Sequence, residues 1–117
     1  MSSSKEEQLW NAASAGDLDL VTHLSAASSL DVNWIGPERG DASLHRDCRF
    51  GHLQIVQVLL KHPQIDVNLA NAGGGTAVNL AGQEGHVEVV KLLTADIRIE
   101  VNWQANGGAR SGLPTQI

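Results

Sequence analysis

The chain contains no tyrosine, one phenylalanine and one cysteine, Cys48. A single thiol cannot close an intramolecular disulfide, so this is not a disulfide scaffold, and a reducing compartment is the simpler setting. No apolar run approaches the roughly 20 residues that a membrane-spanning helix needs. The polar start, Met1 to Glu7, has no apolar segment of the kind a secretory signal carries. No Asn-x-Ser/Thr acceptor occurs. Basic residues are also short: 8 Lys and Arg stand against 13 Asp and Glu, a formal charge of −5. Binding to duplex nucleic acid rests on a basic surface, so this balance argues against such a partner. What remains is one domain's length of chain, expected to be intracellular, cytoplasmic or nuclear. It has three tryptophans, twelve glycines and many small residues. A core of Ala, Leu and Val requires close helix approach, and frequent glycine implies many turns.

The positive signal is internal repetition. Gly51-His52 returns as Gly85-His86, at an offset of 34. Val56, Leu59, Ile65 and Val67-Asn68 return at that offset as Val90, Leu93, Ile99 and Val101-Asn102. An earlier copy lies 35 residues upstream, in Gly16-Asp17, Leu18, Val21, Leu24 and Leu30-Asp31-Val32-Asn33. The change from 35 to 34 falls between Asn33 and Ala42, so one connecting loop carries an extra residue.

Each copy reads as two helices. In the middle copy, Ala42 to Phe50 is a short helix closed by Gly51, the residue suited to a left-handed C-terminal cap. His52 opens a second helix, on which Leu53, Val56, Leu59 and Leu60 share one face. Pro63 lies just past its end. The Gly-rich stretch Asn71 to Gly75 reads as a turn into the next helix. Ser4 followed by Glu7 forms a capping-box pattern ahead of Leu9 and Trp10.

This pattern resembles the ankyrin repeat. The family's Thr-Pro-Leu-His-x-Ala…Gly-His signature stands here as Ala42-Ser43-Leu44-His45-Arg46-Asp47-Cys48-Arg49-Phe50-Gly51-His52. It stands again as Thr76-Ala77-Val78-Asn79-Leu80-Ala81-Gly82-Gln83-Glu84-Gly85-His86, and in a degenerate copy as Leu9-Trp10-Asn11-Ala12-Ala13-Ser14-Ala15-Gly16-Asp17. The resemblance covers residues 5 to 108. It implies an all-α helical repeat solenoid with β-hairpin loops and about three repeats, near residues 5–38, 39–72 and 73–106, with a flexible non-repeat tail at 109–117.

Two departures from the pattern stand out. Asp47 occupies the column of Ala12 and Ala81, a small buried position in the family, where an unpartnered carboxylate costs free energy. It is either a tolerated, destabilising substitution or half of an ion pair, with Arg46, Arg49 and Arg39 as available partners. The C-terminus departs as well: Thr76 maps onto Arg110 and Leu80 onto Pro114, so a fourth repeat is begun and abandoned. The third copy nonetheless looks internal. Its Val87, Val89, Val90, Leu92 and Leu93 lack polar substitutions, which predicts an open apolar end face available for self-association, for a partner or for further repeats.

Candidate chemistry is thin. His45, Cys48 and His52 have an i, i+3, i+7 spacing, but Gly51 ends the first helix before His52, and a structural zinc needs a full tetrahedral ligand set. Gly73-Gly74-Gly75-Thr76 lacks the lysine of a phosphate-binding loop and reads as a hairpin tip. No nucleophile, base and orienting group come together. No catalysis, metal or cofactor is therefore expected. Arg39, Arg46 and Arg49, with Lys61 further on, form the only basic concentration. It serves either as a solvated face that also partners Asp47 or as a docking site for an acidic protein segment. Trp34 and Trp103 each follow a Val-Asn pair, with Leu69 in the matching place between them; tryptophan at such edges marks interfaces or packs the hairpins together.

The resemblance implies a protein-binding or scaffolding module using the hairpin tips and the exposed side of the first helices. Carried over residue by residue, that surface is Trp34, Ile35, Arg39, Asp41, Arg46, Arg49, Leu69, Asn71, Leu80, Gln83, Glu84, Trp103 and Gln104. The partner is another protein. The alternative is a self-assembling unit, a homodimer through the uncapped third repeat, or a fragment of a longer array.

Overall fold

The computed structural model describes residues 4–27 and 29–100. They form six helices: α1 (Lys5–Ala15), α2 (Leu18–Ser25), α3 (Ser43–Phe50), α4 (Leu53–Leu60), α5 (Ala77–Gln83) and α6 (Val87–Thr94). With 7 to 11 residues each, these helices are too short to hold alone in water. Their stability comes from stacking. Each first helix folds back through a short turn onto its second, α1 packs on α3 and α3 on α5, while α2 packs on α4 and α4 on α6.

Caps set the helix bounds. Ser4 Oγ accepts from the Glu7 amide at 3.1 Å, the first half of the predicted capping box. The middle first helix begins at Ser43 rather than Ala42, because Ala42 is extended and donates its N–H to His45 Nδ1 at 2.8 Å. Gly51 ends α3 at φ 76, as its position in the pattern predicts.

The core repeats with the sequence. Leu9, Leu44 and Val78 are buried in one column, and Leu24, Leu59 and Leu93 in another. Two kinds of tie join the copies. His52 lies against Gly16 with Nε2 3.3 Å from the Ser14 carbonyl, and His86 lies against Gly51 with Nε2 2.9 Å from the Arg49 carbonyl. A Cβ on Gly51 would fall 2.6 Å from the His86 ring, so the position needs glycine for space as well as for its φ. On the loop side, Asn33 donates to the Gln64 carbonyl and accepts from the Asp66 amide, and Asn68 does the same with Arg98 and Glu100. Glu6 Oε2 takes the Asp31 amide at 2.9 Å. Glu6 thus supplies to the first copy what Asn33 supplies to the second.

The loops are hairpin-like. Ile35 and Ala42 form an antiparallel bridge, Asn71 N–H reaches the Gly75 carbonyl at 2.8 Å, and Ala72 N–H reaches the Arg39 carbonyl at 3.1 Å, joining successive tips. The apolar end face differs from its sequence prediction. Val89 and Leu93 point inward and are buried; Val87, 59% exposed, is the residue left open, and Val90 and Leu92 are half-buried. On a helix this short, one face carries both the intra-repeat and the inter-repeat packing, so an apolar residue in the pattern is not by itself an outward-facing one. The abandoned fourth repeat and the tail lie outside the described residues.

Candidate functional site

On the side of the stack that carries the first helices and the hairpins, the central residue is Asp41, at the end of the first hairpin and 0% exposed. Its carboxylate is ringed by donors. Arg49 grips it edge-on, Nε to Oδ2 at 3.2 Å and Nη2 to both oxygens at 3.1 and 3.0 Å. Asn71 Nδ2 donates to Oδ1 at 2.9 Å and Arg46 Nη1 to Oδ2 at 3.4 Å. The Asp41 carbonyl accepts from Trp10 Nε1 at 2.8 Å. A buried ion pair holds when the carboxylate's remaining lone pairs are met, as those of Asp41 are here.

Arg46 is fixed as thoroughly. Its guanidinium carbon lies 4.5 Å from the Trp10 ring centroid and 5.0 Å from that of Phe50, a cation–π arrangement on two rings. Nε donates to Ser14 Oγ at 3.0 Å, and Nη2 lies 3.2 Å from Glu38.

Asp47 is not their partner, so of its two readings the ion pair fails and the unpartnered substitution agrees with the geometry. Arg46 and Arg49 are three apart and share a helix face; Asp47 sits about 100° away from Arg46 around α3 and points into the stack. It is 0% exposed, and neither carboxylate oxygen has a hydrogen-bond partner. Burial pushes this carboxyl well above the usual carboxylate range, with the Arg46 charge opposing only in part. Burial likewise raises the Cys48 thiol, and Asp47 adds to it. His45 is lowered, chiefly by burial. Its Nδ1 must accept from the Ala42 amide, so Nε2 carries the proton and donates to the Leu69 carbonyl at 2.7 Å. Among the described residues no group of three His, Cys, Asp or Glu side chains is placed to hold a metal.

The surface inferred from the sequence divides. Asp41, Arg46 (7% exposed) and Leu80 (4%) are buried, so they are not free contact residues; the first two are consumed by the charge cluster and Leu80 packs at the start of the third copy. Trp34, Leu69, Asn71 and Arg49 are half-buried. Ile35, Arg39, Gln83 and Glu84 are exposed. Trp103 and Gln104 lie outside the described residues. The structure brings five of these positions to one groove of about 480 Å³, lined by Arg39, Arg49, Asn71, Ala72, Gly73, Gly75, Leu80 and Gln83. Trp34, Ile35 and Glu84 do not line it.

Sequence reasoning missed Trp10 and Phe50. Phe50 stands four residues after Arg46 on one helix, a spacing that brings side chains together and was legible. Trp10 occupies the column of His45 and Asn79, and nothing in the first copy alone points to its reach across to Asp41.

Three stacked helix pairs joined by hairpins, tied copy to copy through His and Asn, define a helical-repeat solenoid. Residues 9–104 match the family model for ankyrin repeats, in three copies. The chain belongs to the ankyrin-repeat family, whose members generally act as protein–protein interaction modules and are typically non-catalytic. Comparison with curated proteins gives no match. No described helix is long and apolar enough to cross a membrane.

Proposed function

We propose that this chain is an intracellular, non-catalytic binding module that takes a segment of another protein into the groove between the first and second hairpins. The observation that carries this reading is convergence. Arg39, Arg49, Asn71 and Gln83 come from separate turns and helices, yet line one groove whose wall is held rigid by the saturated Asp41 cluster. A preorganised wall lowers the ordering cost of binding. The test is selection of displayed peptides on the protein, followed by titration of the best binders against Arg39→Asn and Gln83→Ala, with Gln57→Ala on α4 as control. Weakened binding in the first two and not the third supports the reading. Binders indifferent to both groove changes refute it.

A specific observation favours one second reading, docking of another helix pair on the third copy. Gly16 and Gly51 each carry the histidine of the following copy, whereas Gly85 has no described atom within 4 Å of where a Cβ would stand, and Val87 beside it is exposed. Under this reading Val87→Lys abolishes a concentration-dependent dimer seen by light scattering. A monomer at every concentration removes the homodimer.

A further inference from the structure

The groove has a charge that the chain does not. Its lining includes two arginines and no acidic residue, in a protein of formal charge −5. The two arginines differ. Arg49 turns Nε and Nη2 to Asp41, which leaves Nη1 without a partner among the described residues. Arg39 is exposed and forms no ion pair among the described residues.

The local pairing agrees. Arg46 meets Glu38 and Asp41, Arg49 meets Asp41, and Arg39 pairs with neither. Asp47, next to Arg46 in sequence, points into the stack and meets none of these arginines. Asp41 cannot neutralise Arg39 as well, because both its oxygens are already taken by Arg49, Arg46 and Asn71. Asn71 is likewise committed, its Oδ1 accepting from the Gly73 and Gly75 amides. Arg39 and Nη1 of Arg49 therefore offer cationic N–H to the groove.

From this we infer that the groove's occupant is an acidic segment of a partner protein, an extended stretch carrying Asp or Glu whose carboxylates meet Arg39 and the free edge of Arg49. The inference rests on the reading that the groove binds protein. A planar guanidinium matches a carboxylate with two N–H donors. The overall negative charge repels acidic chains elsewhere on the surface, so attraction concentrates at this one place.

The test is an amide-shift titration of the full chain with a hexaglutamate peptide, alongside hexaglutamine and a short oligodeoxythymidine. The expected result is saturable shifts at Arg39, Gly73, Gly75 and Gln83 with hexaglutamate alone, weakening as salt is raised. Arg39→Asn should weaken this binding about tenfold, the equivalent of about 1.4 kcal/mol. Asparagine tolerates the positive φ of 61 at this position, so the fold is kept. Arg39→Lys should retain most of it. Equal shifts from hexaglutamine would sink the acidic preference while leaving the groove as a protein site. Shifts confined to Lys5, Lys61 and Lys91 would place the acidic site elsewhere. Groove shifts with the oligonucleotide and none with hexaglutamate would overturn the partner class, and silence from all three would overturn the proposal. Silence here combined with displayed peptides that do respond to Arg39→Asn and Gln83→Ala separates this failure from failure of the binding role itself.

Discussion

Replacing Asp47 by alanine should make the protein more stable. The two carboxylate oxygens are buried without a partner, and leaving such a group unsatisfied costs about 1–3 kcal/mol. Removing it leaves a void of about methyl size, which returns about 1 kcal/mol. The void is shallow because the same column holds Ala12 and Ala81, both buried, in the neighbouring copies. The net gain is about 0–2 kcal/mol, centred near 1, which at about 4 °C per kcal/mol for a domain of this size is a rise of up to roughly 8 °C in Tm, read by thermal melts and urea titration at neutral pH. The pH dependence adds an independent readout. The folded carboxyl is raised above its ordinary 3.8, so between that value and its folded value the native state binds more protons than the unfolded one. The stability contribution is therefore complete below about pH 3.8 and is lost as pH rises, by about 1.4 kcal/mol per unit. The difference between parent and Asp47→Ala should grow with pH across that window. Asp47→Asn should remove the same slope without the alanine's gain, since an amide remains buried. A Tm that falls in Asp47→Ala, with a parent-to-variant difference flat in pH, would show that the carboxyl is satisfied and the reasoning wrong.

Asp41→Ala should have the opposite effect. It strands Arg46 and Arg49 around an empty centre, and breaking a buried pair by removing one partner costs about 3–5 kcal/mol, seen as a lowered urea midpoint. Gly36→Ala should destabilise by about 1–3 kcal/mol through overpacking, because the new Cβ would fall 2.1 Å from Trp10 Nε1; a red-shifted tryptophan emission in the folded variant would report the displaced ring. Cys48 is 0% exposed and its thiol is raised, so a thiol reagent should label it only as fast as the chain opens. Rapid labelling in native buffer would contradict that burial.

The frame was legible in the sequence because its determinants repeat. A histidine that must lie on the preceding copy's glycine, and an asparagine that must bridge to the next copy's turn, recur at a fixed offset, as do the leucines and valines between them. The charge cluster was half legible. The spacing of Arg46 and Arg49 was visible, but the carboxylate offered to them was Asp47, as one of two readings of that residue, when they meet Asp41. Proximity along a helix misleads here: adjacent residues point about 100° apart, while a hairpin can carry a residue such as Asp41 back over the helix that follows. Asn71 completes the ring from 30 positions away, a contact that no local pattern announces. Exposure was the other failure. Positions that the resemblance places on the binding side were taken as surface, yet Arg46 and Leu80 are buried because the neighbouring tryptophan and hairpin cover them.

That failure also shows how such a chain separates stability from recognition. The columns that keep their identity across copies, Leu9 with Leu44, Val21 with Val56, Leu24 with Leu59, are buried and hold each copy to the next. The first-helix columns that change identity carry the chemistry of the groove side: Asn11, Arg46 and Leu80 in one, Ser14, Arg49 and Gln83 in the next, Ala15, Phe50 and Glu84 in the third. The second copy alone fills them with two guanidinium groups and an aromatic ring. It is also the copy that places a carboxyl where the others have alanine. Changes in the first group of columns should therefore alter stability and leave partner preference intact. Changes at Arg39 or Gln83, whose side chains are exposed and bear little of the packing, should alter partner preference and leave stability within about 0.5 kcal/mol. Arg46 and Arg49 belong to both groups, so substitutions there move the two readouts together, and binding data at those two positions carry weight only beside a measured melting curve.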